Sequence, residues 1–330
     1  MTSARQKEWR TSSKIRIYAH LKARDCILRR GTAKYRIMYM TDISKKYPSQ
    51  QLDFHDELGV DRSIPLGNMS LCRVGDRWLI SVRQFNYKIR IKDDPGGWFG
   101  DFLEKRDYFF LWTDKNFRFL GKVECDLPNL AMFEDLRLLK YGNSIQASGT
   151  EVSLGRNRFR MASIDFDLRE NMLYADKVCI FPVAREKNYM PVEDGRGIFV
   201  SDLMLDSLNV VSTKNPDKKV IQRCRGLVQY RGSSPLMRYR DGYVAIVHVR
   251  RKNVYSNAFA FFDKALLQCR ISDEFTVFSD VSSINFCCGM AVEGDEAILP
   301  VCVHDRWTYL FRLPLADFAM TARWRDLNRC

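Results

Sequence analysis

A β-hairpin signal that recurs along the chain is the feature that most constrains its fold. Two apolar strands flank a polar, glycine-containing turn at five places, centred on Gly75, Gly142, Gly195, Gly242 and Gly294. Glycine-containing polar turns between short apolar strands are typical of tight hairpins. The turns are separated by 67, 53, 47 and 52 residues. This spacing predicts several copies of one β unit.

A second kind of hairpin, with Asp or Asn at the turn and aromatic flanks, lies between the first kind. It occurs in YFFLWTDKNFRFLGKV, IDFDLRENMLYADKV, LMLDSLNVV and FAFFDKALLQCRI, and WTYLFRLPLADFAMT is a fifth candidate. Two hairpins make a four-stranded sheet. Five such sheets predict an all-β fold, a five-bladed β-propeller with four-stranded antiparallel blades. The alternative is an irregular β-sandwich in which the spacing is coincidental.

The positive charge of the chain is concentrated at its beginning. Residues 1–46 contain 13 Lys and Arg against Glu8, Asp25 and Asp42, whereas the net charge of all 330 residues is +13. We expect a basic segment, 1–46, that packs on or closes the propeller, and a catalytic propeller domain over 47–330. Such a segment favours an anionic membrane surface as partner, or is a solvated arm. The nearly neutral remainder and the lack of a recognised module argue against nucleic acid.

The apolar runs and the spacing of the cysteines indicate in which cellular compartment the protein works and whether it binds a cofactor. The apolar runs have the length of strands, and the first ten residues lack the apolar core of a signal peptide. We therefore expect a cytoplasmic protein that the basic segment can bring to a membrane. The ten cysteines form no C-x-x-C pair, and none of the four histidines is spaced with them as zinc requires. This predicts buried free thiols, no metal site and no bound cofactor.

Polar residues flank the first hairpin of each predicted blade, where a propeller turns side chains into its central funnel. The candidates in chain order are Asn68, Arg83, Asn86, Tyr87, Glu134, Asp135, Arg137, Lys187, Asn188, Arg231, Ser233, His248 and Asp305. Taken singly, each has an ordinary interpretation as a surface salt bridge, a turn residue or a core histidine. Together, carboxylates, cations and amides around one small volume suit a polyhydroxylated ligand, and the cations suit a phosphate.

Four ordered motifs carry a resemblance to a known family. They are EDLRLLKYGNSIQASGT, EKNYMP, RGSSPLMRYRDGYVAIVH and INFCCGMAVEGDEAILPVCVHD. Together they resemble the β-mannoside phosphorylase family and its glycosyltransferase-like relatives, over roughly residues 68–313. The resemblance implies a five-bladed β-propeller enzyme that acts with inversion on β-mannosidic or related bonds. It also implies phosphate, a sugar 1-phosphate or a nucleotide sugar as co-substrate, and an oligosaccharide or glycan as substrate.

The same resemblance implies roles for individual residues. By match, Asp135 is the general acid, and its proton travels through a sugar hydroxyl in the phosphorylases. Arg83, Arg137 and Lys187 are the candidates for holding phosphate, and His248 and Asp305 match late positions of the family pattern. Leu136 and Met69 stand where relatives have proline, which leaves the choice between phosphate, nucleotide and water open.

The catalytic groups that each kind of reaction needs limit which reactions we expect. An inverting phosphorylase needs one proton donor and an external nucleophile, whereas an inverting hydrolase needs a second carboxylate to activate water. The sequence offers one prominent acid and several cations. We therefore expect a glycosyltransferase or glycoside phosphorylase with Asp135 as general acid/base. Glu134 would bind sugar hydroxyls or raise the pKa of Asp135. The alternatives are a non-catalytic glycan-binding propeller and a glycoside hydrolase of the same fold.

Overall fold

The fold is built almost entirely from β-strands. The computed structural model describes residues 40–85, 107–153, 158–182, 187–201, 207–223, 230–251, 254–266, 268–279 and 284–325. Within these ranges the α-helices are His55–Leu58 (α1) and Leu315–Ala319 (α2), and no helix there is long and apolar enough to cross a membrane. The predicted all-β class is confirmed. Residues 1–39 of the basic segment, Asn86 and Tyr87 lie outside the described residues.

Twenty-five strands are present in the described ranges. In chain order they are Thr41–Asp42 (β1), Ser49–Leu52 (β2), Leu66–Val74 (β3), Arg77–Gln84 (β4), Asp107–Thr113 (β5), Phe119–Cys125 (β6), Phe133–Tyr141 (β7), Ser144–Ser153 (β8), Arg158–Arg169 (β9), Met172–Ile180 (β10), Met190–Val192 (β11), Gly195–Val200 (β12), Ser207–Ser212 (β13), Asn215–Arg223 (β14), Arg231–Gly232 (β15), Met237–Tyr239 (β16), Gly242–Arg251 (β17), Val254–Asp263 (β18), Cys269–Ile271 (β19), Phe275–Thr276 (β20), Asn285–Phe286 (β21), Ala291–Glu293 (β22), Glu296–Val303 (β23), Trp307–Pro314 (β24) and Arg323–Arg325 (β25).

These strands form five groups that follow the chain, which we call units one to five. Units one (β3–β6), two (β7–β10) and three (β11–β14) are four-stranded antiparallel meanders. Units one and two share one sheet because their outer strands, β6 and β10, pair in parallel. Unit four contains β15–β20 with β1 and β25, and unit five contains β21–β24 with β2.

All five glycine turns predicted from the sequence lie between paired antiparallel strands. They connect β3 to β4, β7 to β8, β11 to β12, β16 to β17 and β22 to β23. Gly75, Gly142 and Gly294 have positive φ, the backbone region in which glycine has no steric penalty. In units three and four the positive φ falls instead on Asp194 and Arg240.

The last predicted hairpin is different from expectation. Only its first half is a strand, β24, and the second half is helix α2. Pro314 ends the strand because proline has no amide hydrogen to donate to a ladder. Leu315 is fully buried, and the Phe318 ring lies 4.7 Å from that of Phe259. The outer partner of β24 is β2, from the other end of the described chain.

The first strands of the units meet one another, and this contact positions the polar residues described below. Ser70 of β3 accepts a hydrogen bond of 2.9 Å from the amide of Leu138 in β7. Leu139 of β7 shares a core cluster with Ile246 of β17 and Val301 of β23. In units four and five the first strand is in two pieces, β15 with β16 and β21 with β22, so the polar segments between the pieces lie beside this common core.

Candidate active site

The site is built on a backbone feature that repeats at the start of units one, two and three. Asn68, Asp135 and Asn188 have φ values of 45°, 57° and 70°. The ladder between β3 and β4 shifts register at Asn68, and that between β7 and β8 shifts at Asp135. Asn and Asp are the side chains that tolerate this left-handed region best. Such bulges re-aim a side chain, so units one and two each direct one short polar group out of the ladder. Asn188 has the same backbone conformation just before β11 begins.

Close packing under the bulges holds them in place. A Cβ built on Gly149, which faces the β7 bulge, would lie 2.9 Å from the carbonyl oxygen of Glu134 and 2.8 Å from a methyl carbon of Leu136. The thiol of Cys288 is within 2.8 Å of the carbonyl oxygen of Asn68, to which it donates. The buried thiols predicted from the sequence therefore include one that supports the site.

A network of opposite charges surrounds Asp135. The guanidinium of Arg83 donates to the Asp135 carboxylate at 3.0 Å and to the Glu134 carboxylate at 2.9 Å. Asn68 donates its side-chain amide to the same Asp135 oxygen at 2.8 Å. Lys187 lies 3.4 Å from the other oxygen of Glu134. Five of the candidates therefore converge, from units one, two and three.

The network is accessible on one side. The side chains of Glu134 and Asp135 are 17% and 18% exposed, and that of Lys187 is 36% exposed, whereas Arg83 is 9% exposed. The two carboxylates and the ammonium can thus touch a ligand. The arginine mainly orients them.

The electrostatic environment lowers the pKa of Asp135 below its ordinary value. Burial by itself raises this pKa, but the positive charges of Arg83 and Arg137 and the hydrogen bond from Asn68 outweigh it. The prediction that Glu134 raises the pKa of Asp135 concerns one contribution to this pKa, and the net direction is set by Arg83, Arg137 and Asn68. Arg83 lies between the two carboxylates and compensates their repulsion, so Asp135 is ionised at neutral pH when no ligand is bound.

Asp305 occupies the turn between β23 and β24 and has the opposite shift. His304 and Asp305 have φ values of 59° and 54°, and the amide of Arg306 donates to the carbonyl of Val303 at 3.0 Å, as in a type I′ turn. Burial raises the pKa of Asp305 to about 6. Arg83 lowers it and the carboxylates of Asp135 and Glu134 raise it further. Carboxyl groups with pKa values pushed apart are typical of acid–base pairs.

Arg137 lies beneath the network rather than in it. Its side chain is fully buried. The guanidinium donates to the carbonyl oxygen of Asp135 at 2.9 Å, to the side-chain oxygen of Asn188 at 3.2 Å and to the carbonyl oxygen of Ser233. It joins the starts of units two, three and four. A group so placed orders the site, and it presents no surface to a phosphate.

The residues predicted in unit four divide between the interior and the surface. Ser233 is fully buried, and its hydroxyl lies 2.7 Å from Nδ1 of His248. Burial lowers the pKa of His248 to about 3, and the charges of Arg231 and Arg137 add to this effect, so the ring is neutral. Arg231 is exposed and pairs with His248 across β15 and β17.

One residue near the network was not predicted. Tyr108 of β5 pairs with Arg83 across the sheet and is buried, and the charges of Arg83 and Asp135 both act on its hydroxyl. Among the described residues, its hydroxyl, Asn68 Oδ1 and Arg83 Nε have no hydrogen-bond partner. In the sequence, Tyr108 alternates with Phe110 and Trp112, which indicates only a core face.

No protein-family model matches the sequence, and no curated protein matches it either. Among the described residues, no group of three or more His, Cys, Asp or Glu side chains could hold a metal ion.

Several solved structures with a similar fold are carbohydrate-active enzymes. A β-1,2-mannobiose phosphorylase from Listeria innocua, in complex with β-1,2-mannobiose, has a TM-score of 0.54 at 12% identity, covering 83% of this chain and 98% of that one. A GH43_1 enzyme from Xanthomonas citri complexed with xylose has 0.53 at 8%, covering 82% and 91%. A glycosyl hydrolase from Bacteroides ovatus has 0.53 at 10%, covering 79% and 87%. The chain therefore shares its fold with glycoside phosphorylases and hydrolases, at identities that establish the fold alone.

Proposed function

We propose that this protein is an inverting sugar-transfer enzyme, a glycosyltransferase or glycoside phosphorylase that makes or phosphorolyses a β-glycosidic, β-mannosidic bond. The observation that carries the proposal is the network in which Arg83 donates hydrogen bonds to the carboxylates of Asp135 and Glu134. Asp135 lies at a β-bulge with positive φ that Asn68 repeats in unit one. The similarity of the fold to a β-1,2-mannobiose phosphorylase supports the choice of bond. The substrate is then an oligosaccharide or glycan.

The fold proposed for this enzyme is a five-bladed β-propeller, one blade per unit. Five successive groups of antiparallel strands support it, as does the completion of unit five by β2. In propellers a strand from one chain end commonly completes the last blade and leaves no free edge. The contact of Cys288 with Asn68 joins units five and one, and that of Ser70 with Leu138 joins units one and two.

In the proposed reaction, Asp135 is the general acid. The bond between the anomeric carbon and the leaving oxygen breaks, and a bond from that carbon to an oxygen of phosphate forms on the opposite face. The proton of Asp135 moves to the leaving oxygen, directly or through a sugar hydroxyl. Asp135 is ionised without ligand. A phosphate near Arg83 and Lys187 would offset their charge, raise the pKa of Asp135 and so favour its protonation.

Lys187 and Arg231 are the cations best suited to hold phosphate, a sugar 1-phosphate or the phosphates of a nucleotide sugar. Lys187 is partly exposed beside Glu134, and Arg231 is exposed. Both can approach an anion without leaving a buried partner unpaired. Arg137, which is fully buried, is assigned a positioning role instead.

A second candidate function, inverting hydrolysis, is favoured by Asp305. A hydrolase needs one carboxyl group that holds a proton and one that activates water. Asp305, whose pKa is raised, would hold the proton, and Asp135, whose pKa is lowered, would activate water. In this case phosphate would not enter the reaction.

The test incubates the full chain with β-1,2-mannobiose, with and without inorganic phosphate, and quantifies mannose and mannose 1-phosphate. The reverse reaction offers mannose 1-phosphate or a nucleoside-diphosphate mannose with a mannose acceptor. Mannose 1-phosphate that forms only with phosphate, or disaccharide formed from either donor, is the expected result. Mannose released equally without phosphate would establish the hydrolase instead. Saccharide binding without any turnover would indicate a glycan-binding propeller.

The basic segment has a separate proposed role that rests on its charge. We propose that residues 1–46 contact an anionic membrane surface from the cytoplasmic side. Met40–Lys46 belong to the compact part of the chain that begins at Met40, where Ile43 is fully buried. Sedimentation with vesicles containing phosphatidylserine, compared with neutral vesicles, tests this role. Equal binding to both would contradict it.

A further inference from the structure

A polar cleft beside the proposed active site has no role in the chemistry described above. Its volume is about 280 Å³, and its walls come from β2 and the segment after it, the start of β3, and the turn before β24. The residues that matter are Asp53, His55, Arg62, Leu66, Arg306 and Trp307. Small-molecule sites span roughly 300–1,000 Å³, so the cleft suits a ligand of about one sugar ring.

The cleft adjoins the site along the chain on two sides. Arg306 and Trp307 directly follow Asp305. Leu66 is two residues before Asn68 in β3. The register of β3 and β4 pairs Leu66 with Gln84, next to the pair of Gly67 and Arg83, and the charges of Arg83 and Asp135 act on the carboxyl group of Asp305. A substrate whose reacting bond lies at Asp135 would therefore extend into this cleft with its neighbouring unit.

The Trp307 ring is the feature that identifies the ligand class. It is 36% exposed, whereas the other described tryptophans with a stated burial, Trp78 and Trp112, are buried. The guanidinium carbon of Arg306 lies 4.6 Å from the centre of the Trp307 ring, and the His304 ring packs against it edge-on with centroids 6.3 Å apart. A tryptophan held in this way presents a rigid, flat apolar surface next to polar groups. The C–H face of a pyranose ring, with hydroxyls at its rim, fits that combination.

The opposite wall is ordered by ion pairs. Arg62 bridges Asp53 at 2.8 Å and Asp56 at 2.6 Å, and the His55 ring contacts Asp53 and the carbonyl oxygen of Ile64. Asp53, which lines the cleft, and Asp56, which does not, together compensate the charge of Arg62, and Arg306 stacks on the Trp307 ring. An aromatic face beside these hydrogen-bonding groups suits a polyhydroxylated ligand.

We infer that this cleft is a subsite for the sugar unit on the acceptor side of the reacting bond, with Trp307 as its stacking platform and Arg306, Arg62 and Asp53 binding hydroxyls. This inference rests on the proposed function. It assigns Trp307 to recognition of chain length and not to the bond-making step.

The test measures binding of mannose, β-1,2-mannobiose and β-1,2-mannotriose by calorimetry, in the Asp135→Asn variant so that no substrate is consumed. The longer saccharides should bind more tightly than mannose. Adding Trp307→Ala should weaken the binding of the two longer saccharides about tenfold, and Trp307→Phe should restore part of the affinity. Tyr174→Ala is the matched control, because Tyr174 is also exposed beneath an arginine, Arg169, and does not line the cleft.

The outcomes separate the two claims. If Trp307→Ala weakens no saccharide while the longer ones still bind more tightly, the subsite is wrong and the proposed function stands. If Trp307→Ala or Arg306→Gln weakens binding of inorganic phosphate instead, the cleft is an anion site and the inference is overturned. If no saccharide binds and the wild-type protein turns over no donor, the proposed function fails and the inference with it.

Discussion

The side-chain amide of Asn68 donates a 2.8 Å hydrogen bond to the carboxylate of Asp135, and these two residues occupy the same bulge position in successive units. The same backbone conformation thus presents an amide in unit one and a carboxylate in unit two. Because Asn68 also helps to keep Asp135 ionised, it is the first positioning residue to test.

Replacement of Asn68 by glycine removes the amide while keeping the positive φ available. We expect kcat to fall about 10- to 100-fold, the range expected from a hydrogen bond to a charged group of about 1.5–3 kcal/mol. The pKa of Asp135 should rise, since one stabilising interaction of its charged form is lost. A pH–rate profile measures both effects. An unchanged profile with unchanged kcat would show that Asn68 does not position Asp135.

Gly149→Ala tests whether the β7 bulge itself is needed. The new Cβ would meet the carbonyl oxygen of Glu134 at 2.9 Å, a backbone atom that cannot rotate away. We expect a loss of about 1–3 kcal/mol in the free energy of unfolding and a displaced Asp135, with activity reduced beyond the fraction unfolded. Gly121→Ala is the control, because a Cβ there has nothing within 4 Å. Equal behaviour of the two variants in denaturant titrations and activity assays would rule out the packing argument.

Arg137→Met should be strongly destabilising. It leaves the carbonyl oxygens of Asp135 and Ser233 and the side chain of Asn188 without the guanidinium that they share. A loss of about 3–5 kcal/mol is expected when one partner of a buried charged network is removed. The same substitution at exposed Arg231 should change the free energy of unfolding by less than about 0.5 kcal/mol. Chemical denaturation compares the two. If Arg137→Met left the free energy of unfolding unchanged, Arg137 would not be needed to hold the site together.

Asp305→Asn should stabilise the protein at alkaline pH. Burial raises the pKa of Asp305 from 3.8 to about 6, so the ionised form is destabilised in the folded state. Above pH 6 the wild-type protein carries that cost. Below pH 4 the carboxyl group is protonated both folded and unfolded, so the cost vanishes. We expect the variant to gain on the order of 1–3 kcal/mol at pH 8, and to lose the gain as the pH falls towards 4. Thermal melting at several pH values measures this, and a gain independent of pH would contradict the raised pKa.

The sequence predicted the β units well because their signal is local. A glycine or aspartate turn between two apolar runs specifies a hairpin without help from distant residues, and each of the five glycine turns is confirmed. The final segment was mispredicted because its outer partner, β2, comes from about 260 residues earlier in the chain. No local pattern reports that pairing.

The sequence predicted which residue types form the site, but not how deeply each side chain is buried. Glu134 and Asp135 stand out as polar groups at the start of β7 and Arg83 as one at the end of β4, and they converge in the structure. Arg137 has the same sequence signal, yet it is buried, because the bulge at Asp135 shifts the ladder and turns Arg137 inward. The opposite pKa shifts of Asp135 and Asp305 depend on three-dimensional charge placement, which spacing along the chain does not encode.

The most direct test of the central claim is the turnover of mannosyl donors by Asp135→Asn, compared with wild-type protein and with Asp76→Asn, a change of the same kind at an exposed hairpin turn. Product formation from mannose 1-phosphate, from a nucleoside-diphosphate mannose and from β-1,2-mannobiose with phosphate would be measured alongside thermal melting. We predict that Asp135→Asn stays folded and loses at least about a thousandfold in kcat, as the removal of an acid together with its charge network implies, while Asp76→Asn keeps wild-type activity. Turnover by Asp135→Asn at the wild-type rate would contradict the account.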